Sequence, residues 1–458
     1  MNIYLHTEIA ARELDSKILL AVLAAARGHQ VIVSDIETIE KGICRGKLAP
    51  GIFHTKSLTP GDSKIARHQD VIDNGSLVTS IDEESCLDTY GYDKFARIRY
   101  SEKSIDQSSA VFGWGPEDAE ALKRIYPKYS SKIHMTGSPR ADLWKPIFSD
   151  YWDAPKAKPN KPFLLIPSKM GFANEIKSFH EIVKIFKSGG YLKRDPDLLE
   201  YTFGNISENY RKMFAFIEAI KYLAKNNNGF DIVLRPHPVE NIETWKILLQ
   251  DIANVHVIQE GSINPWINNS FAVMHNSCTS AIEATVFKKP VITYIPFEQK
   301  YTSELPNELG QCVKSLEDLS SKVNTIFKSI KSGSENKNVE PLPEVLTNKI
   351  YFDKNELAAL KMIKIWESLA SDDLLRSSFN QKRFHLFLKV MKFRGFVGKI
   401  LRNFSIGKFG PNKKNHKFPP LDKSDVYKRF SKLKKIIGIK EKLECKLLSE
   451  RTILIRRH

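Results

Sequence analysis

Two short segments in the middle of the chain carry residue types suited to binding an anion. The first is Arg-Pro-His-Pro at 235–238, and the second is His-Asn-Ser-Cys-Thr-Ser-Ala-Ile-Glu at 275–283. Each follows a short apolar run, residues 231–234 and 271–274, that predicts a buried strand. In open α/β sheets, ligands bind at the carboxyl ends of strands and beside helix N-termini. The two segments therefore predict a phosphate-binding edge that holds a nucleotide-sugar.

In the first segment, Arg235 and His237 are the predicted phosphate ligands. Pro236 and Pro238 lack backbone N–H groups, so the strand must end there. The Arg235 guanidinium can bind phosphate oxygens as a two-pronged fork, and the His237 ring can donate from a nitrogen. The alternative is a proline-rich strand exit with a histidine at the surface.

The second segment predicts the start of a helix with hydroxyl and amide side chains around it. Such residues cap helix N-termini, where anions are favoured. The predicted phosphate contacts are His275, Asn276, Ser277, Thr279 and Ser280. Glu283, about one turn later, is predicted to accept ribose hydroxyls. The alternative is an ordinary capped helix that packs in the core.

A third segment, residues 167–174, follows an apolar run at 163–166 and resembles a loop that approaches a phosphate. Ser168, Gly171 and Asn174 are its predicted ligands. The loop lacks the spacing of a Walker A motif, and a plain strand-to-helix connection is the alternative.

Three acids at the end of a predicted strand, residues 76–80, are the candidate catalytic groups. Asp82, Glu83 and Glu84 would lie at a carboxyl edge, where one of them could act as general base or nucleophile. The alternative is a helix start with acidic first-turn residues. Asp195-Pro196-Asp197 does not follow a strand, and the histidines show no ligand spacing. The sequence therefore predicts no metal and no other cofactor.

Strands alternate with helical patterns along most of the chain, which predicts an α/β fold with two Rossmann-like domains. The predicted divisions are an acceptor domain at 1–150, a linker at 151–161, a nucleotide-sugar domain at 162–345, a returning helix at 346–380 and a basic helical tail at 381–458. Facing one another across a cleft, the two domains would form the GT-B glycosyltransferase architecture.

The charge of the chain is concentrated in its last residues. The net charge is +17, yet residues 381–458 hold 23 Lys and Arg against 5 Asp and Glu, so the rest is nearly neutral. Apolar residues recur at helical spacing between Phe384 and Phe404, which favours an anionic membrane surface as partner. Nucleic acid is the rival partner, but no known nucleic-acid module accompanies the tail.

Five scattered cysteines without a C-x-x-C pair favour a reducing compartment. The first residues lack a basic, apolar leader. The expected location is therefore the cytoplasm, at the inner face of the plasma membrane.

Several segments together resemble the bacterial surface carbohydrate biosynthesis proteins, a family related to capsule and lipopolysaccharide transferases that use CMP-Kdo or CMP-sialic acid. They are residues 8–17, 51–57 and 136–140 with the two segments at 235 and 275, and the likeness spans about residues 1–370.

Transferases of this kind carry a His-Pro pair and a Ser/Thr segment on the CMP phosphate, and an acidic-acidic-Gly motif that supplies the base. The resemblance assigns the first to His237 and Pro238, and the second to Ser277, Thr279 and Ser280. Glu83-Glu84-Ser85 approximates the third, with Ser85 in place of Gly.

The predicted function is transfer of a sugar from a nucleotide donor, a CMP-sugar by preference, to a glycan or lipid-linked acceptor. One rival is a CDP-glycerol-type polyol-phosphate transferase. Another is a UDP-sugar epimerase, to which residues 137–140 bear some likeness. The non-enzyme rival is a degenerate transferase that serves as an assembly partner at the membrane.

Overall fold

The computed structural model describes residues 1–85, 91–175, 177–188, 198–227, 229–301, 304–333, 341–353, 355–377, 380–404 and 417–458. The chain forms two compact units. The first combines Met1–Leu143 with Thr347–His458, and the second is Trp144–Leu346. Asp195 and Asp197 lie outside the described residues.

The strands and helices alternate through both units, as the sequence predicts. In chain order the strands are β1 (Asn2–His6), β2 (Gln30–Ser34), β3 (Ile52–Thr55), β4 (Leu77–Ile81), β5 (Ala110–Gly113), β6 (Ile133–Met135), β7 (Phe163–Pro167), β8 (Asp231–Arg235), β9 (Val255–Val257), β10 (Ala272–His275), β11 (Val291–Tyr294), β12 (Gln311–Val313), β13 (Leu443–Ser449) and β14 (Thr452–Arg457).

The α-helices are α1 (Ala10–Ala26), α2 (Ile36–Cys44), α3 (Asp62–Asp73), α4 (Tyr92–Arg99), α5 (Glu102–Asp106), α6 (Pro116–Ile125), α7 (Pro139–Asp142), α8 (Phe179–Ser188), α9 (Leu198–Lys225), α10 (Ile242–Leu248), α11 (Asn264–Asn269), α12 (Ser280–Val286), α13 (Glu304–Glu308), α14 (Leu316–Lys331), α15 (Glu344–Thr347), α16 (Ala358–Leu369), α17 (Asp372–Arg376), α18 (Gln381–Phe404) and α19 (Lys423–Ile437). Several begin at side-chain caps that the sequence supplies, such as Asp35 for α2 and Ser315 for α14.

The sheet of the first unit has the order β13-β14-β2-β1-β3-β4-β5-β6. The six strands from β2 to β6 run parallel, so their carboxyl ends share one edge. The parallel strands are apolar and buried, as expected where helices cover both faces. Helix α16 packs on this unit, where the buried Trp366 indole donates to Thr79 Oγ1 at 3.1 Å.

The end of the chain adds two strands to the predicted basic helical tail. Strand β14 pairs antiparallel with β2, and β13 pairs antiparallel with β14, so both extend the first sheet. Ile453, Leu454 and Ile455 are fully buried there. Such a short apolar run, rich in β-branched residues, is typical of a strand, and its pairing covers the edge that β2 would otherwise leave open. The basic composition around it conceals this signal.

The first apolar series of the tail also has a different role from the predicted one. Phe384, Phe387 and Leu388 on α18 are buried in the core of the first unit, where they share a cluster with Leu48. Their i, i+3, i+4 spacing therefore marks a face that packs on protein and does not reach a lipid surface.

The sheet of the second unit has the order β12-β11-β10-β7-β8-β9 and is parallel throughout. The chain adds strands on one side of β7 and then on the other, so β7 and β10 meet at the point where strand order reverses. Ligands bind at such a point in open α/β sheets. Two units built on largely parallel sheets confirm the predicted α/β class. Among the described residues, no helix is both long and apolar enough to cross a bilayer.

Candidate functional site

The carboxyl edge of the second sheet is organised around a buried acid, Glu240. Its carboxylate accepts hydrogen bonds from the Ser168 hydroxyl at 2.8 Å, the Met170 amide at 2.9 Å and the Trp245 indole at 2.8 Å. The Ser168 amide also donates to the Arg235 carbonyl at 3.0 Å. These bonds fix the loop after β7, and they occupy the Ser168 side chain that the sequence analysis assigns to phosphate.

The loop so fixed presents Lys169 at the reversal point of the sheet. Its ammonium donates to the Ser277 carbonyl at 3.2 Å, beyond the end of β10. Burial lowers the pKa of Lys169, and its positive charge lowers the pKa values of His237 and His275 in turn. Lys169 is thus the central cation of this edge.

A second ammonium lies within electrostatic range of the first. Lys212 on α9 is 3% exposed, and burial lowers its pKa to about 8, with the Lys169 charge acting in the same direction. Its carboxylate neighbour, Glu208, is 4.0 Å away. The other oxygen of Glu208 accepts from the backbone amides of Lys300 and Tyr301. The edge therefore holds two poorly hydrated cations, and the charge of Lys169 acts on Lys212.

His237 lies on the loop after β8 with its side chain exposed. Its Nδ1 accepts from the Val239 amide at 3.4 Å, which leaves the ring proton on Nε2. Desolvation by the surrounding loop lowers the pKa of His237, so the ring is a neutral donor at pH 7. The side-chain amide of Gln259 donates to the backbone carbonyl of His237 at 2.8 Å. Pro238 restricts the backbone of the same turn. The His-Pro pair therefore presents one ring N–H.

The Arg235 side chain has partners on the neighbouring loop and helix. Its guanidinium donates to the backbone carbonyls of Glu260 and Gly261 and stacks over the Trp266 ring at 5.1 Å. Burial lowers its pKa to about 10. The guanidinium group predicted to bind phosphate thus holds the loop after β9.

His275, at the end of β10, is fully buried and neutral, since burial lowers its pKa to about 3. The Thr293 hydroxyl donates to the Leu309 carbonyl at 2.8 Å and lies 3.0 Å from His275 Nε2. Nε2 must therefore carry the ring proton. Nδ1 is a buried acceptor with no hydrogen-bond partner in the described part of the chain.

Asn276 and Ser277 form the turn between β10 and α12. Asn276 donates to the Tyr294 carbonyl at 2.7 Å and accepts from the Ser277 hydroxyl at 3.0 Å. Ser277 has a φ of 56°, a left-handed conformation in which the Asn307 side chain holds both its amide and its hydroxyl. Both side chains thus shape the turn that supplies the carbonyl contact of Lys169.

The remaining predicted ligands lie on two segments, the start of α12 and the loop after β7. Thr279 precedes α12 without a side-chain cap bond, Ser280 is a weak partner of the Cys278 thiol at 3.5 Å, and Glu283 lies in the first turn. Gly171, with φ of 47°, lies beside Asn209, whereas Asn174 exchanges hydrogen bonds with the backbone of Asn241.

In the first unit, the acids after β4 are held by cations. Asp82 is fully buried and binds Arg99 through two hydrogen bonds of 2.8 Å. Burial raises the pKa of Asp82, against the opposing effect of Arg99. It also accepts from the Glu84 amide at 3.0 Å. Asp82 therefore holds the turn.

Glu83 forms a buried ion pair with Lys17 of α1 at 2.8 Å. The Arg140 guanidinium is 3.8 Å away, on the turn where Gly137 has φ of 83° and a Cβ would lie 2.5 Å from the Tyr351 carbonyl. Burial raises the pKa of Glu83, but Lys17 and Arg140 outweigh it and the pKa is lowered overall. Glu83 is therefore ionised.

Glu84 is the one acid of the three with an accessible carboxylate, since its side chain is 38% exposed. It lies between Arg12 at 3.5 Å and Arg99 at 3.2 Å. An exposed carboxylate can exchange protons with a bound hydroxyl, which the enclosed Asp82 and Glu83 cannot do as readily.

The structure thus adds functional candidates that sequence reasoning missed: Lys169, Lys212, Glu240, Lys17, Arg99 and Arg140. Lys169 carries a local signal, because it directly follows Ser168 at a strand end. The others are brought in by tertiary packing. The described residues hold no cluster of His, Cys, Asp and Glu suited to a metal.

Comparisons with known proteins find likeness in fold alone. No family model matches the chain, and neither does any curated protein sequence. Among solved structures, the chain is similar to a putative UDP-N-acetylglucosamine 2-epimerase from Listeria monocytogenes, with 14% identity and a TM-score of 0.47 over 80% of this chain and 95% of that one.

It is also similar to S. aureus MnaA in a structure with UDP, with 15% identity and a TM-score of 0.45 over 81% of this chain and 97% of that one. For the wall teichoic acid polymerase TagF the values are 11% and 0.38, over 72% and 84%. Scores and identities this low carry no conclusion about the substrate of this chain.

Proposed function

We propose that this protein is a glycosyltransferase that binds the phosphate of a nucleotide-sugar at the carboxyl edge of its second unit. The donor is a CMP-sugar by preference, and the acceptor is a glycan or lipid-linked glycan of the bacterial surface. The family resemblance of the sequence supports the donor class and the surface-glycan setting.

The observation that carries the proposal is a pair of ammonium groups: Lys169 lies at the reversal point of the parallel sheet, and its charge acts on Lys212. Two like charges in a poorly hydrated place repel one another, and an anion bound between them relieves that repulsion. The neutral His237 ring adds a directional N–H donor on the neighbouring loop. Together they would offset charge that develops on a departing phosphate.

Glu84 is the proposed general base in the first unit. The proposal rests on its exposed carboxylate and on the two guanidinium groups beside it, which hold it in place. Asp82 and Glu83 are then positioning residues: Asp82 fixes the turn through Arg99, and Glu83 fixes α1 through Lys17.

Nucleotide-dependent thermal stabilisation tests the proposal against its rivals. A ligand at about 100 times its Kd adds about 2.7 kcal/mol to the free energy of unfolding of the unit it binds. We expect CMP to raise the Tm and cytidine, which lacks the phosphate, to leave it unchanged.

The rivals predict other outcomes in the same screen. Stabilisation by CDP-glycerol and not by CMP would favour polyol-phosphate transfer. Conversion of a UDP-sugar into its epimer, followed by mass spectrometry and NMR, would favour an epimerase. No response to any of these nucleotides would favour a non-catalytic assembly protein.

A further inference from the structure

The exposed side chains of α18 are unusual for a protein surface. Between residues 381 and 393, every side chain classed as exposed is either basic or apolar. They are Lys382, Arg383, Leu386, Lys389, Val390, Lys392 and Phe393. The three apolar ones are far from buried, at 62% for Leu386, 43% for Val390 and 66% for Phe393.

The orientation of this surface is fixed by the opposite side of the helix. Phe384, Phe387 and Leu388 are anchored in the core of the first unit. Leu386, Val390 and Phe393 follow an i, i+4, i+7 spacing, which forms a separate stripe on the outer side. The helix therefore cannot rotate to bury the outer stripe without withdrawing the inner one.

The charge of the helix is of one sign. Residues 381–404 contain seven Lys and Arg and no Asp or Glu. Lys392 pairs with Glu450 at 2.6 Å on the neighbouring β13–β14 turn, with 73% of its side chain still exposed. A line of apolar side chains bordered by cations is the pattern of helices that lie in the interface of an anionic bilayer.

We propose that the outer stripe of α18, defined as Leu386, Val390 and Phe393, inserts into the surface of an anionic membrane while Lys382, Arg383, Lys389 and Lys392 contact its phosphate groups. Apolar insertion contributes affinity that salt does not screen, and the lysines and arginine add a salt-sensitive part. A nucleic acid would use the cations but leave the apolar stripe in water. A second copy would bring two strongly positive helices together. The inference is independent of the proposed transferase activity.

Vesicle co-sedimentation of the full-length protein tests the stripe. Phosphatidylcholine vesicles and vesicles that also contain phosphatidylglycerol are the two probes. We expect binding to the anionic vesicles alone at low salt, and a lower affinity at high salt. The triple variant L386Q/V390Q/F393Q should bind at least about tenfold more weakly, because the inserted apolar area is gone. Ile98→Gln, at another exposed apolar position of the first unit, is the matched control and should bind as the original protein does.

A second pair of variants separates position from total charge. K382Q/R383Q/K389Q/K392Q should lower affinity for anionic vesicles by at least about tenfold. K423Q/K435Q/K440Q/K442Q removes the same number of charges from exposed positions elsewhere in the tail and should lower it far less. All variants change exposed side chains, so their circular dichroism and Tm should match those of the original protein.

Three results would overturn the proposal. The first is binding of the triple apolar variant at full affinity. The second is equal loss of affinity in the two charge variants, which would make the effect one of net charge. The third is self-association or oligonucleotide binding that the triple variant abolishes, with no binding to anionic vesicles.

Discussion

The carboxyl edges of the two sheets are built from similar elements but differ in their charge balance. In the first unit, acids and cations are paired: Glu83 with Lys17, and Asp82 with Arg99. In the second, the Lys169 charge acts on Lys212, and both ammonium groups have lowered pKa values. The acids of the first edge have cationic partners at hydrogen-bond distance, whereas Lys212 of the second has its carboxylate neighbour, Glu208, at 4.0 Å. The proposed phosphate site therefore lies at the second edge, and the proposed general base, Glu84, at the first.

The largest expected effect on stability comes from removing a cation that pairs with a buried acid of the first edge. Lys17→Met would leave the Glu83 carboxylate buried without its closest cation, at a cost of about 3–5 kcal/mol in the free energy of unfolding. Urea unfolding at pH 7 measures this loss. The double variant K17M/E83Q should recover much of the stability, since the uncompensated charge is gone. A Lys17→Met protein as stable as the original would show that the Glu83–Lys17 ion pair does not stabilise the fold.

The next largest effect is the pH dependence that Lys212 gives to the free energy of unfolding. Its folded pKa of about 8 is below the ordinary value of 10.5, so between these pH values the unfolded chain binds more protons. The Lys212 contribution to the stability of the fold therefore rises with pH across this window, by up to about 3 kcal/mol. Lys212→Met should lack this rise.

The matched control is Lys221→Met, an exposed position on the same helix, which should keep the full pH dependence. The free energy of unfolding of both variants, measured from pH 7 to about 11, distinguishes them. Equal slopes in the two variants would mean that Lys212 is hydrated and does not contribute to a poorly hydrated anion site.

A smaller effect separates Arg235 from the phosphate site. Arg235→Lys cannot reproduce the fork to two carbonyls, and we expect a loss of about 1–2 kcal/mol in stability. The affinity for CMP, measured at a temperature where the variant is folded, should not change. A large loss of affinity for CMP with unchanged stability would indicate that Arg235 binds the phosphate.

The smallest effect is expected at His237. One neutral hydrogen bond contributes about 1 kcal/mol, so His237→Ala should weaken CMP binding about fivefold. Because the lowered pKa keeps the ring neutral, this contribution should be the same at pH 7 and pH 8. Calorimetric titration at both values measures it. A contribution that grows steeply as the pH falls would mean that the imidazolium is the form that binds.

The α/β class, the strand ends at 235 and 275 and the return of the chain through α16 are predictable from local patterns. Periodicity and proline positions depend on neighbouring residues, and they persist in the fold. The direction of the Arg235 side chain is not predictable in this way, because it depends on the Trp266 ring and on carbonyls 25 and 26 residues away.

Lys212 shows the same limit more clearly. In sequence it is one of three lysines on a long helix, and only tertiary packing brings it within range of the Lys169 charge. The tail shows the opposite problem. Its composition predicts a basic helical tail, yet Ile453, Leu454 and Ile455 extend the first sheet. Average charge conceals a short buried strand.

The most direct test of the contrast between the two edges is the affinity for CMP of two matched variants. Lys169→Met changes the second edge, and Lys64→Met changes a half-buried lysine of the first unit, whose pKa burial lowers to about 8. Isothermal titration should show a loss of at least about 30-fold for Lys169→Met, since a poorly hydrated cation facing a phosphate contributes about 2 kcal/mol or more. Lys64→Met should bind CMP as the original protein does. Equal affinity in Lys169→Met, or a comparable loss in Lys64→Met, would contradict the assignment of phosphate binding to the second unit.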